Sequence, residues 1–140
     1  MLVKNRRRSG GFTLLELLVV VVIIGLLASY VGPRYFAQIG KSEGATARAQ
    51  IDGLRKALDT YRLDLGRYPT AEEGLVALTK RPAEGGDRWA GPYLSKPAPL
   101  DPWGHPYQYT VPGTNGDYAL LSLGKDGRPG GTGENADIGD

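Results

Sequence analysis

The apolar run from Phe12 to Val31 decides most of what this chain can become. FTLLELLVVVVIIGLLASYV holds 20 residues and a single charge, Glu16. At about 1.5 Å per residue, a helix of that length spans the roughly 30 Å of a bilayer's hydrocarbon core. Lys4, Arg6, Arg7 and Arg8 precede it with no acidic residue among them, so residues 1–11 carry +4 and read as a cytoplasmic-side anchor. A removed secretory signal shares this layout, but its apolar region is shorter, roughly 7–15 residues. Ser29-Tyr30-Val31-Gly32-Pro33 also makes a poor small-x-small cleavage site, and a carboxylate lies inside the run. The expectation is a retained membrane helix over residues 12–33.

Glu16 carries the chemistry of this segment. A carboxylate at membrane depth costs a few kcal/mol or more and is normally paired or functional. The run offers no positive side chain, but a cut after Gly11 would free an α-amine on Phe12, four residues before Glu16. That amine could pair with Glu16 of its own chain or of a neighbour, which would set the axial register of a helical assembly. The alternative is a glutamate near a helix end that snorkels to the interface.

Beyond Gly32-Pro33, where a bend or local melting is expected, residues 34–65 contain no proline. Ile51, Leu54, Leu58, Tyr61 and Leu65 recur at spacings of 3, 4, 3 and 4, lining one face of an amphipathic helix that Gly66 would stop. Thr70 followed by Glu73 is a capping-box pair and predicts a short helix to about Thr79. Residues 80–100, rich in Gly and Pro, read as a structured loop anchored by Trp89 and Tyr93, and Asp101-Pro102-Trp103-Gly104 as a turn. Strands are expected over 107–111 and 117–123, joined through Pro112-Gly113-Thr114-Asn115-Gly116 as an antiparallel hairpin. The fold class is therefore α+β: a long N-terminal helix, half transmembrane and half amphipathic, packed on a small antiparallel sheet of two or three strands.

Arg6-Arg7-Arg8-Ser9-Gly10-Gly11 followed by Phe12-Thr13-Leu14-Leu15-Glu16 resembles the class III leader and cleavage site of type IV pilins and type II secretion pseudopilins. The resemblance implies removal of leader 1–11 after Gly11 by a prepilin peptidase, methylation of the Phe12 amine, and Glu16 as the assembly glutamate. It narrows with Arg67-Tyr68-Pro69-Thr70, Glu72-Glu73-Gly74-Leu75, Asp101-Pro102-Trp103-Gly104 with Tyr107, Ser122-Leu123-Gly124, Asp126-Gly127 and Asp137-Ile138-Gly139. Together these resemble the major pseudopilin of the type II secretion system over nearly the whole chain. Many type IV pilins close a C-terminal loop with a disulfide, which a chain without cysteine cannot form.

The last 17 residues, 124–140, hold six glycines with Asp126, Glu134, Asn135, Asp137 and Asp140. By composition this is a frayed acidic tail or a calcium loop, since Ca²⁺ takes hard oxygen ligands from carboxylates, carbonyls and water. An EF-hand template begun at Asp126 fails, with Arg128 and Gly130 at its third and fifth positions. The resemblance implies structural Ca²⁺ in a loop over 123–140. Asp126 and Asp137 are then carboxylate ligands, and Leu123 with Arg128 supplies main-chain carbonyls. Ala136 stands where relatives often carry another acidic residue, which leaves Asn135, Glu134 or water to replace one carboxylate.

The rest of the composition argues against enzymes. There is no cysteine for a thiol nucleophile or Cys zinc site and a single histidine, His105, set in a turn between Gly104 and Pro106. No GxSxG, HExxH or P-loop pattern occurs. Trp89 and Trp103 sit beside Gly and Pro turns and are expected to pack core rather than stack ligands. The net charge of +2 from 17 basic and 15 acidic residues does not point to nucleic acid. What the resemblance implies is a homopolymer at the bacterial inner membrane with its head in the periplasm. Its partners are the prepilin peptidase, an inner-membrane assembly platform and minor pseudopilins, and its role is export of folded proteins. The other readings are a type IV pilus subunit and a single-pass anchored periplasmic binding domain. A mature N-terminus at methylated Phe12 separates the polymer from the latter.

Overall fold

The computed structural model describes residues 10–139. Residues 1–9 of the expected leader, with Lys4 and Arg6 to Arg8, and Asp140 lie outside that range. The element order is a long helix α1 (Leu14–Leu65), strands β1 (Gln108–Thr110), β2 (Ala119–Ser122) and β3 (Ile138–Gly139), and three short 3₁₀ turns between them. The chain divides into two compact units, residues 1–38 and 39–140.

In the first unit, α1 begins where Thr13 caps it. The helix runs on through Pro33, so the melting expected at Gly32-Pro33 is absent. Proline forfeits one backbone hydrogen bond, but its fixed φ near −65° is itself helical. Side chains from Leu14 to Val31 are exposed all round. Arg34 lies over the Tyr30 ring, its guanidinium carbon 4.8 Å from the centroid, and Tyr35 meets Phe36 edge to face.

In the second unit the predicted stripe becomes the core. Ile51, Leu54, Leu58 and Tyr61 are buried, together with Ala47 and Ala57, while Asp52, Lys56, Asp59 and Arg62 stay exposed. Full burial of one such aliphatic side chain contributes about 1.5–3 kcal/mol. The stripe packs against Leu78, Tyr107 and Leu120, with Tyr68, Trp89, Tyr93, Tyr109 and Ile138 at its margin. Gly66 ends the helix in the left-handed region at φ +77°, donating its N–H to the Arg62 carbonyl at 2.7 Å.

The Thr70–Glu73 capping box forms: Thr70 N–H donates to Glu73 Oε2 at 2.8 Å and Glu73 N–H to Thr70 Oγ1 at 3.2 Å. The short helix expected up to about Thr79 is a 3₁₀ helix, Gly74–Leu78, with Thr79 at its C-terminal end. Gly74 takes φ +55° at the start of that helix, a left-handed value that breaks the continuity between the capped turn and the residues after it. Arg67 closes on Glu73 through two hydrogen bonds of 2.6 and 2.8 Å. The pair lifts the Arg67 pKa, and Arg67 holds the Glu73 carboxyl below its ordinary value against opposing desolvation.

The hairpin is antiparallel with Tyr109 opposite Leu120, its strands shorter than expected at both ends. A third strand completes the sheet in the order β1-β2-β3, with Ser122 opposite Ile138. The tail is thus stitched to the sheet, and Ile138 reaches the core. Trp89 donates to the Ala77 carbonyl at 3.0 Å at the edge of the core, whereas Trp103 meets α1 through a 2.9 Å hydrogen bond to Glu43.

Candidate assembly and cation sites

Gly10 and Gly11 precede the helix in open backbone, with Phe12 84% exposed just before α1. Among the described residues, nothing beyond their chain neighbours lies within 4 Å of where a Cβ on either glycine would stand. Glu16 is occupied locally. Its Oε2 accepts the Thr13 N–H at 2.8 Å and the Thr13 hydroxyl at 2.9 Å, and Thr13 Oγ1 accepts the Glu16 N–H at 3.2 Å. Thr13-x-x-Glu16 is a capping box that sequence reasoning passed over, although it has the same spacing as Thr70-x-x-Glu73. In the uncut chain Phe12 has no free amine, and the Glu16 carboxylate serves the helix end.

At the other end of the molecule, the predicted cation-loop residues fall into one cross-braced segment. Asp126 Oδ1 accepts the Arg128 N–H at 3.1 Å, and Asp137 Oδ2 reaches back to the Gly130 N–H at 2.9 Å. Lys125 N–H bonds the Glu134 carbonyl at 2.9 Å, and the Lys125 ammonium pairs with the Glu134 carboxylate at 2.7 Å. Glu134 also packs over Gly40 of α1, where a Cβ would collide with its carboxylate. Glu134 therefore has partners of its own. Asn135 is held through its backbone, its N–H bonding the Thr132 carbonyl at 3.2 Å and its carbonyl lying against Gly124 and Gly131.

Both carboxylates of Asp126 and Asp137 are exposed and fixed by loop amides. Among the described residues no three His, Cys, Asp or Glu side chains converge. A cation here would draw the rest of its shell from main-chain oxygens and water, and carboxylates with carbonyls are the hard oxygen set that suits Ca²⁺.

Sequence reasoning missed the buried support under this loop. Asp101, 4% exposed, accepts the Trp103 and His105 amides on Oδ1 at 3.1 and 2.8 Å and the Ser122 hydroxyl on Oδ2 at 2.6 Å. The Asp101-x-Trp103 spacing signals an Asx turn, but nothing in the sequence ties it to Ser122, 21 residues on. His105, read as a turn residue, lies there with its Nδ1 3.2 Å from the Gly124 carbonyl.

The family model described as type II secretion system protein G matches residues 34–140, and the prokaryotic N-terminal methylation motif matches residues 6–31. This chain belongs to the protein G family of the type II secretion system. The type II secretion system core protein G of Pseudomonas aeruginosa is 44% identical over 137 residues, covering 96% of each chain. That of Vibrio cholerae is 45% identical over 138 residues, covering 97% of this chain and 94% of its own. Among solved structures, the major pseudopilin of the type 2 secretion system of enterohaemorrhagic Escherichia coli superposes with a TM-score of 0.62 at 35% identity, over 75% of this chain and 91% of that one. The expected pseudopilin fold, a long helix on a small antiparallel sheet, is what this protein G family member adopts.

Proposed function

We propose that this pseudopilin is the repeating subunit of the type II secretion pseudopilus. In that role it is first inserted in the inner membrane, with the head in the periplasm, and then extracted into a filament that drives folded proteins across the outer membrane. The observation that carries the reading is the helix from Leu14 to Val31, apolar and exposed on all sides. Such a surface requires either lipid or other apolar helices around it. Membership of the protein G family selects a polymer over a single anchored domain.

On this reading a prepilin peptidase cuts the exposed Gly11–Phe12 peptide and the new Phe12 amine is methylated. The Glu16 carboxylate exchanges Thr13 for that cation, on its own or a neighbouring chain. The inner-membrane assembly platform and the minor pseudopilins are the other partners, and the subunit itself does no catalysis. Ca²⁺ is bound by Asp126 and Asp137 with the carbonyls of Leu123 and Arg128. It is structural, because an ion that binds only the folded loop stabilises the fold by mass action.

The mass of the mature N-terminus tests the first step: a chain beginning at methylated Phe12 is expected, and an intact Met1 rejects the reading. Glu16→Ala should abolish filaments while membrane insertion persists, and normal filaments in that variant would remove the role given to Glu16. Calcium should raise the melting temperature of the head relative to chelator, and no difference would reject the metal.

A further inference from the structure

We propose that Asp101 is a positioning residue for the cation loop, acting through Ser122 to aim the Leu123 carbonyl; the proposal rests on the reading of that loop as a calcium site. The Asp101 side chain is fully buried, and among the described residues no lysine or arginine pairs with it; only His105 Nδ1 lies nearby, at 3.9 Å. A buried carboxylate without a counter-ion costs several kcal/mol unless hydrogen bonds satisfy it. Asp101 receives three, and the shortest of them leads to the loop.

Ser122 has one hydroxyl proton, which it gives to Asp101 Oδ2 at 2.6 Å, leaving its lone pairs to accept the Gly124 N–H at 3.2 Å. That N–H belongs to the same peptide unit as the Leu123 carbonyl. A trans peptide is planar, with C=O and N–H pointing in opposite directions. Pinning the Gly124 N–H on the buried side therefore turns the Leu123 oxygen the other way, out of the Ser122 contact. The next peptide is pinned as well, because the Gly124 carbonyl accepts from His105 Nδ1 at 3.2 Å, and His105 is itself placed by the bond of its N–H to Asp101 Oδ1. Gly124 fits between these restraints only as glycine: its φ is +68°, and a Cβ would stand 2.8 Å from the backbone of Asn135 and Ala136. One carboxylate thus holds both peptides that open the loop, yet neither Asp101 nor Ser122 is a proposed ligand.

The test is a calcium titration of the full chain in detergent micelles, read by calorimetry, on wild type, Ser122→Ala, Asp101→Asn and the double variant. The Trp near-UV circular dichroism of each metal-free protein reports whether the head has folded. Ser122→Ala is expected to weaken calcium binding about tenfold with the metal-free signal unchanged, the value of about one hydrogen bond in a charged chain. The double variant should bind no more weakly than Asp101→Asn, because the serine hydroxyl holds the Gly124 amide only when the carboxylate orients it. Affinity within twofold of wild type in Ser122→Ala overturns the proposal, as do additive losses. Should Asp101→Asn not fold, Ser122→Ala decides alone. If wild type takes up no calcium, the calcium reading falls and the positioning role with it; if wild type binds and Ser122→Ala binds equally, only the positioning role falls.

Discussion

Replacing Gly124 by alanine should cost the head far more than the same change at Gly66, and the gap isolates a collision from a backbone preference. Both residues have similar positive φ, +68° and +77°, so an added Cβ pays the same left-handed penalty at each, about 1–2 kcal/mol. At Gly66 nothing among the described residues lies within 4 Å of the new methyl, whereas at Gly124 it meets the backbone of Asn135 and Ala136 at 2.8 Å. Backbone cannot rotate aside as a flexible side chain can, so the loop must shift, a rearrangement of about 1–3 kcal/mol. Gly124→Ala is therefore expected to lose about 2–5 kcal/mol and Gly66→Ala about 1–2. In urea, with a slope of about 2 kcal/mol per molar, the variants' midpoints should differ by about 1 M. Trp89 and Trp103 both belong to the head, so their fluorescence follows its unfolding in the full chain while the membrane helix stays in its micelle. Chelator in every sample keeps metal loss out of the comparison. Equal midpoints would refute the collision, and with it the close seating of loop start against loop end.

Three further outcomes concern the head. Tyr61 is completely buried, and its hydroxyl has no hydrogen-bond partner among the described residues; Tyr61→Phe should leave stability unchanged or raise it by about 1 kcal/mol in the same urea assay. Because Arg67 holds the Glu73 carboxyl below its ordinary value, its contribution is present above the unfolded pKa of about 4.3 and fades as pH falls through the folded value. Glu73→Gln should therefore flatten the acid limb of a stability-against-pH curve and lower the neutral plateau. Leu58→Ala, at a position with no exposure, should cost about 3–5 kcal/mol, while Leu63→Ala, 84% exposed on the same helix, should stay within about 0.5 kcal/mol by urea unfolding.

The amphipathic stripe was legible because Ile51, Leu54, Leu58 and Tyr61 repeat at the helical period and every one is buried. The Thr70–Glu73 box was legible because a cap and its return bond lie three residues apart. The short helix after it was legible too, but not its 3₁₀ form, because composition says nothing of a glycine's φ, and Gly74 takes the left-handed value. The tail's composition allowed a frayed acidic tail or a calcium loop and gave no sign of a strand, yet strand pairing needs only backbone, and one isoleucine, Ile138, packs against the core. In the loop, Asp126 and Asp137 could be named as candidate ligands from their motif, and each accepts a loop amide. The support through Asp101, Ser122 and Gly124 could not, since it joins residues about twenty apart through hydroxyl and amide groups that carry no periodic signal.

The all-round apolar surface of α1 between Leu14 and Val31 has a thermodynamic consequence. Acyl chains and leucine side chains are equally oily, so a subunit leaving the bilayer for a sheath of identical helices trades one hydrocarbon solvent for another with little net free energy. The membrane is then a reservoir at nearly the same chemical potential as the fibre. On the proposed reading, small inputs such as a single buried charge pair or work done at the base would then shift subunits between membrane and fibre, and the fibre's length would follow supply and flux more than intrinsic cohesion.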